Sequence, residues 1–254
     1  QISSNGESIA YEGQDDTTKE KVFIKSMKNT VGGMGKFIPL HQLEMLKEIT
    51  NNLGAQFNNE FVPLLDYMVS PNIIYLVYKW NPGVPLFQLD QKLKVQWAKE
   101  IYEQIYNQLE VLHNFGVVHG RIAPKNILVV ENNGKPIATL TDLGKSCLTK
   151  ESSSMLQCRN VDQASGLLDA LNYHIPPSAK ADHLALALTI VSILDPKIKE
   201  TEIPEMIDAI SKVDKADLPK LRDGFDKAIK ESVADESLIN RIYSDVESFF
   251  ETDK

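Results

Sequence analysis

Val117-Val118-His119-Gly120-Arg121-Ile122-Ala123-Pro124-Lys125-Asn126-Ile127-Leu128 is the stretch on which the reading of the fold turns. It enters a short apolar strand, Ile127–Val130, and a second strand follows at Ile137–Leu140. The turn Asn132-Asn133-Gly134 between them is a strong hairpin signal, because asparagine and glycine tolerate the positive φ of a tight turn. Just upstream, Trp97, Ile101, Ile105, Leu109 and Leu112 fall on one stripe, which predicts a long amphipathic helix over 93–115.

Further upstream the character changes at the chain break Asn81-Pro82-Gly83. Ahead of it, residues 7–27 predict two strands around the polar turn Gly13–Glu20. Residues 37–50 predict a helix, with Leu43, Met45, Leu46 and Ile49 on one face. Thr50–Glu60 reads as a polar loop, and Phe61–Tyr67 and Ile73–Lys79 as two strands about the turn Ser70-Pro71-Asn72. After about residue 181 the periodicity is helical, over 182–194, 204–213, 219–232 and 236–250. A β-rich first third and a helical remainder imply an α+β chain of two lobes, 1–80 and 81–254.

Composition narrows the class. The 254 residues are 43% hydrophobic, enough for a sizeable core. The formal net charge of -8 argues against duplex nucleic acid as the main partner, since phosphate contacts need clustered lysine and arginine. Cys147 and Cys158 are too few for a disulfide framework and lack zinc-ligand spacing, so free thiols in a reducing compartment are expected. That points to an intracellular protein, in the cytoplasm or an organelle, with a removed leader left open. No apolar run reaches the ~20 residues that span a bilayer.

The opening stretch resembles the catalytic loop of protein kinases, H-R-D-L-K-P-x-N-I-L. Four other segments match that family in the same order. Val22-Phe23-Ile24-Lys25 is similar to the strand motif V-A-I-K, and Tyr75–Trp80 to the strand entering the hinge. Asp142-Leu143-Gly144 is similar to D-F-G, and Ala181–Leu186 to the start of the helix whose aspartate anchors the catalytic loop. The resemblance covers roughly residues 3–190. It implies a two-lobed fold with a small β-rich lobe plus one helix, then a mainly helical lobe. Lys25 takes the phosphate-contacting position, and Asn126 and Asp142 the two magnesium-ligand positions. Tyr78 falls at the gatekeeper, Lys79 and Asn81 at the hinge, and Leu128 beside the nucleotide. Leu46, Leu64, His119 and Leu143 match the hydrophobic column of the family, and Asp182 its anchor.

The departures bear on function. Arg121 stands at the catalytic aspartate, and a guanidinium cannot accept a proton. It can pair instead with Asp142 or a phosphate. Ala123 replaces the lysine near the transferred phosphate, which removes a charge-stabilising donor. Ser3, Asn5 and Ser8 fall at the three glycines of the phosphate loop, where side chains hinder close backbone approach. The first strand is expected to be missing or degenerate. Phe23 takes the alanine position, and its ring should partly fill the adenine slot. Helical phase assigns Gln42 rather than Glu44 as the partner of Lys25, with Leu46 one turn on.

The residues also have plainer readings. His119 is expected to serve packing and backbone hydrogen bonding. For Asp142 the plainer reading is a salt-bridge partner of Lys25 or Arg121. His41, His113, His174 and His183 show no metal spacing, so surface or core roles are expected. The expectation is therefore an inactive kinase homologue, or pseudokinase, acting as scaffold, allosteric regulator or structural subunit through protein partners. Its rival is an active, atypical ATP-dependent kinase. No resident cofactor is expected, and any binding of ATP and magnesium should be weak. The insert 50–60 and the helices after 200 are the surfaces expected to meet a partner.

Overall fold

The computed structural model describes residues 3–4, 8–28, 40–56, 61–143, 146–148, 178–194 and 236–250. The expected helices 204–213 and 219–232, Asn5, His174 and Cys158 lie outside them. The chain divides into two compact units. The first comprises Gln1–Pro82 and Thr139–Gly144, and the second Gly83–Ala138 and Lys145–Lys254.

The first unit is built on a five-stranded sheet in the order β1-β2-β3-β5-β4. The strands are β1 (Ser3–Ser4), β2 (Ser8–Gln14), β3 (Lys21–Lys28), β4 (Leu64–Val69) and β5 (Ile73–Lys79). All four pairings are antiparallel. The first strand, expected to be missing or degenerate, is present: Ser3 and Ser4 pair with β2, Ser3 opposite Ala10. The turn before β3 is held by Asp15, whose carboxylate accepts the Thr17 and Thr18 amides. Ile74, Leu76 and Tyr78 alternate with half-buried neighbours along β5, as a strand with one core face requires.

Helix α1 (Leu40–Gln56) buries Leu43, Leu46 and Ile49. It runs six residues past the predicted end at 50, so most of the stretch read as a loop is helix. The polar residues that suggested a loop are fasteners. Thr50, fully buried, donates its hydroxyl to the Lys47 carbonyl and accepts the Leu64 amide at 3.0 Å. The Asn51 amide donates to the Leu64 carbonyl. Both bonds tie the helix to the start of β4. The expected strand from Phe61 begins only at Leu64, and Phe61 forms a single parallel bridge with Leu140.

The second unit begins with β6 (Val84–Pro85) and a short 3-10 turn, then α2 (Gln91–Asn114). Asp90 caps α2 by accepting the Lys92 amide, satisfying one of the open donors of the first turn. The stripe Trp97, Ile101, Ile105, Leu109 and Leu112 is buried. Gly116, at φ 76, ends the helix by donating its amide to the His113 carbonyl. β7 (Val117–Val118) pairs with β10 (Cys147–Leu148), and β8 (Ile127–Asn132) lies between β6 and β9 (Lys135–Leu140). Asn133 and Gly134 both have positive φ, 52° and 77°, which a two-residue type I′ hairpin turn requires.

Helix α3 (Ala179–Leu194) is buried on nearly every side from Ala181 onward. Helix α4 (Glu236–Phe250) is amphipathic and buries Leu238, Ile239, Ile242, Tyr243 and Val246. α3 packs on both α2 and α4. The Tyr102 hydroxyl of α2 donates to the Asp245 carboxylate of α4 in the interior. No described helix is long and apolar enough to cross a membrane.

Candidate functional site

In the second unit the segment 119–126 is an irregular loop stitched by its own side chains. Asp182 lies in the first turn of α3 and is 1% exposed. One carboxylate oxygen accepts the Gly120 amide at 2.8 Å, and the other accepts the His119 amide at 2.8 Å. The second oxygen also meets the His113 Nε2 at 2.9 Å. A buried carboxylate without such donors would be costly. Gly120, at φ 69, makes the sharp turn that brings both amides to one carboxylate.

His119 is completely buried, and its Nδ1 accepts the Arg121 amide at 3.1 Å. The Asn126 side-chain amide donates to the Arg121 carbonyl at 2.7 Å. Arg121 is thus held at both its N–H and its C=O, with only 7% exposure. Ala123 is buried and accepts the Asn126 amide through its carbonyl, closing the 3-10 turn Pro124–Asn126. Lys125 beside it faces solvent. Leu128 is half-buried on β8, opposite Pro85.

In the first unit, Lys25 and Asp142 meet as an ion pair. Lys25 sits in mid-β3, flanked by Ala10 on β2 and Leu76 on β5. Asp142 lies just past β9 with φ 71, a left-handed conformation uncommon outside glycine but tolerated by aspartate. That backbone turn aims its carboxylate at the lysine. Phe23 and Tyr78 are opposite each other on β3 and β5, their ring centroids 6.3 Å apart. Tyr78 is buried and Phe23 half-buried. Lys79 is exposed at the end of β5 and its amide donates to the Pro63 carbonyl; Asn81 follows, half-buried. Leu46, Leu64 and Leu143 are all core residues of this unit. Glu44 is exposed, its carboxylate accepting the Tyr67 hydroxyl at 3.2 Å. The Gln42 side chain lies outside the described residues.

Three arrangements in the second unit were not foreseen from the sequence, although His113 and His183 were expected at the surface or in the core. His113 engages the anchor Asp182. Glu110, His113 and His183 bring donor atoms within 4.8 Å of one another. Asp245, beside Tyr102, has its carboxyl pushed up to about 6, chiefly by burial. The available signals were slight: Glu110 and His113 are one turn apart on α2, and His183 adjoins Asp182.

The sequence profile of the protein kinase domain matches residues 4–211. The chain belongs to the protein kinase family. This kinase domain has the two-lobed α+β fold of that family, a β-sheet first lobe and a helical second lobe. Serine/threonine-protein kinase D of Synechocystis is 25% identical over 190 residues, 71% of this chain and 36% of its own length. CBL-interacting serine/threonine-protein kinase 2 of Arabidopsis thaliana is 27% identical over 211 residues, 80% of this chain and 44% of its own. A probable serine/threonine-protein kinase of Clostridium acetobutylicum is 23% identical over 201 residues, 78% of this chain and 29% of its own. The kinase domain thus spans less than half the length of these relatives.

Proposed function

We propose that this kinase domain is catalytically inactive and works through binding, as a scaffold, allosteric regulator or structural subunit for a protein partner. The observation that supports it best is the setting of Arg121. Its backbone is fixed by His119 and Asn126 within the loop that a kinase uses to orient the substrate hydroxyl. A cation therefore stands in the chain position of the catalytic carboxylate. Phosphoryl transfer is mostly positioning and charge stabilisation. Loss of the group that accepts the hydroxyl proton typically costs about 10²–10⁴ in rate. Ala123 adds the loss of a phosphate-stabilising cation.

ATP with magnesium is the ligand the family implies, and the donor set fits it only in part. Asn126 commits its amide nitrogen to the Arg121 carbonyl, so its oxygen is the atom suited to a hard cation. Asp142 offers a carboxylate, but Lys25, the residue suited to the nucleotide phosphates, is paired with it. Phe23, against Tyr78, presents a ring where the family has a small residue. No phosphoryl-transfer step follows from this set.

The retention of Lys25, Asn126 and Asp142 favours a second reading, an atypical ATP-dependent kinase acting on serine or threonine. The relatives' names point the same way. Calorimetric titration with ATP, with and without magnesium, separates the two. Binding that is absent, or in the millimolar range near -4 kcal/mol, is expected. Tight binding that requires magnesium and is lost in Asp142→Ala would favour the enzyme.

A further inference from the structure

The second unit holds a cluster that the kinase reading leaves without a role. Glu110 and His113 stand one turn apart on α2, and His183 on α3 meets them. The His183 Nε2 is 3.2 Å, and the His113 Nδ1 4.0 Å, from the same Glu110 oxygen. Both nitrogens are buried and have no hydrogen-bond partner among the described residues. Two buried ring nitrogens facing one carboxylate offer three donor atoms to a shared partner.

The chemistry of that partner follows from the tautomers. His113 gives its Nε2 to Asp182, which leaves the Nδ1 lone pair directed at Glu110. A carboxylate behind a histidine is the arrangement that orients an imidazole and raises its basicity toward a metal. His183 meets the same carboxylate through its Nε2. Tyr106 stacks on the His183 ring at 4.5 Å and fixes its plane. The Arg241 guanidinium lies over the other ring of that stack, Tyr106. Glu110 is about half exposed, which gives an ion a route in.

We propose that Glu110, His113 Nδ1 and His183 Nε2 bind one divalent transition ion of the zinc class, with water in the fourth position. Two imidazoles and one carboxylate suit zinc, whose bonds to such donors are about 2.0–2.2 Å long. Tetrahedral bonds of that length bring ligand atoms to about 3.3 Å apart. Small side-chain rotations reach that from the present spacing. Magnesium and calcium, which take oxygen ligands, do not suit the set. The ion would sit one imidazole away from Asp182, and so from the amides of His119 and Gly120. The site is independent of whether the kinase domain transfers phosphate.

The metal-free full chain is titrated with Zn²⁺ by calorimetry and with Co²⁺ by visible absorption. One ion per chain is expected, with micromolar or tighter affinity, a raised melting temperature and the ligand-field band of four-coordinate Co²⁺. Loss of an outer-shell partner typically weakens metal binding about 10–100-fold, and loss of a ligand should do at least as much. Glu110→Gln and His183→Asn should each show that loss. Replacing both Cys147 and Cys158 by serine should leave the affinity unchanged. If His183→Asn does not fold, Glu110→Gln decides, since its side chain is at the surface. No saturable binding below millimolar Zn²⁺, or an affinity unmoved by Glu110→Gln, overturns the proposal.

Discussion

The Lys25 ammonium on β3 is ion-paired with the Asp142 carboxylate, 117 residues further along the chain. Their side chains are 12% and 13% exposed. Removing one partner leaves the other charge with little water to replace it, at a cost of about 3–5 kcal/mol for a buried pair. Lys25→Met should therefore lower stability by about 3 kcal/mol in urea denaturation. Replacing both charges, Lys25→Met with Asp142→Leu, should recover most of it. A double variant no more stable than Lys25→Met would contradict a structural role for the pair.

Asp182 makes the second prediction. Its carboxylate accepts two backbone amides and meets His113. Asp182→Asn keeps the shape but loses the charge and one acceptor, so about 2–4 kcal/mol should go. Hydrogen exchange at the His119 and Gly120 amides should accelerate more than at the buried stripe of α2. Uniform acceleration across the second unit would contradict a local anchor.

Acid dependence comes from Asp245. Burial raises its carboxyl from the ordinary 3.8 to about 6, while the Tyr102 hydrogen bond and the Arg241 charge pull it down and Glu110 pushes it up. A carboxyl that holds its proton more firmly when folded stabilises the fold in acid. The contribution is complete below pH ~4 and is lost as pH rises through about 6, a swing of about 3 kcal/mol. Asp245→Asn, which can still accept the Tyr102 hydroxyl, should be more stable than the parent at pH 8, and that advantage should shrink toward pH 4. Urea midpoints at pH 4, 6 and 8 measure this. Parallel pH profiles would contradict it.

Thr50 tests the part of the fold the sequence misplaced. Thr50→Val leaves the buried Leu64 amide without its hydroxyl acceptor, and should cost about 1–3 kcal/mol. A neutral substitution would show that the bond does not fasten α1 to β4.

That residue also shows why some elements were legible and others not. Helix α4 was readable because its apolar stripe is interrupted by charged residues. The hairpin at Asn133-Gly134 was readable because positive φ selects those residue types. The polar run after Thr50 looked like a loop because a side chain bonding a distant backbone is indistinguishable in sequence from one facing water. The loop 117–128 stood out because it resembles the catalytic-loop pattern of protein kinases. Its hold on Asp182 was legible only through the kinase resemblance, since nothing local links positions 63 residues apart. The cluster of Glu110, His113 and His183 had only the one-turn spacing of Glu110 and His113 as a signal, because α2 and α3 bring His183 to it only once packed. Whether Gln42 faces Lys25 rests on helical phase alone.

The central claim is that Arg121 leaves this kinase domain without phosphotransfer. The direct measurement is transfer of labelled phosphate from ATP, with magnesium, to the chain itself and to generic serine and threonine substrates. The account predicts none above a no-protein background, for the parent and for Asp142→Ala alike. Transfer by the parent that Asp142→Ala abolishes would contradict it.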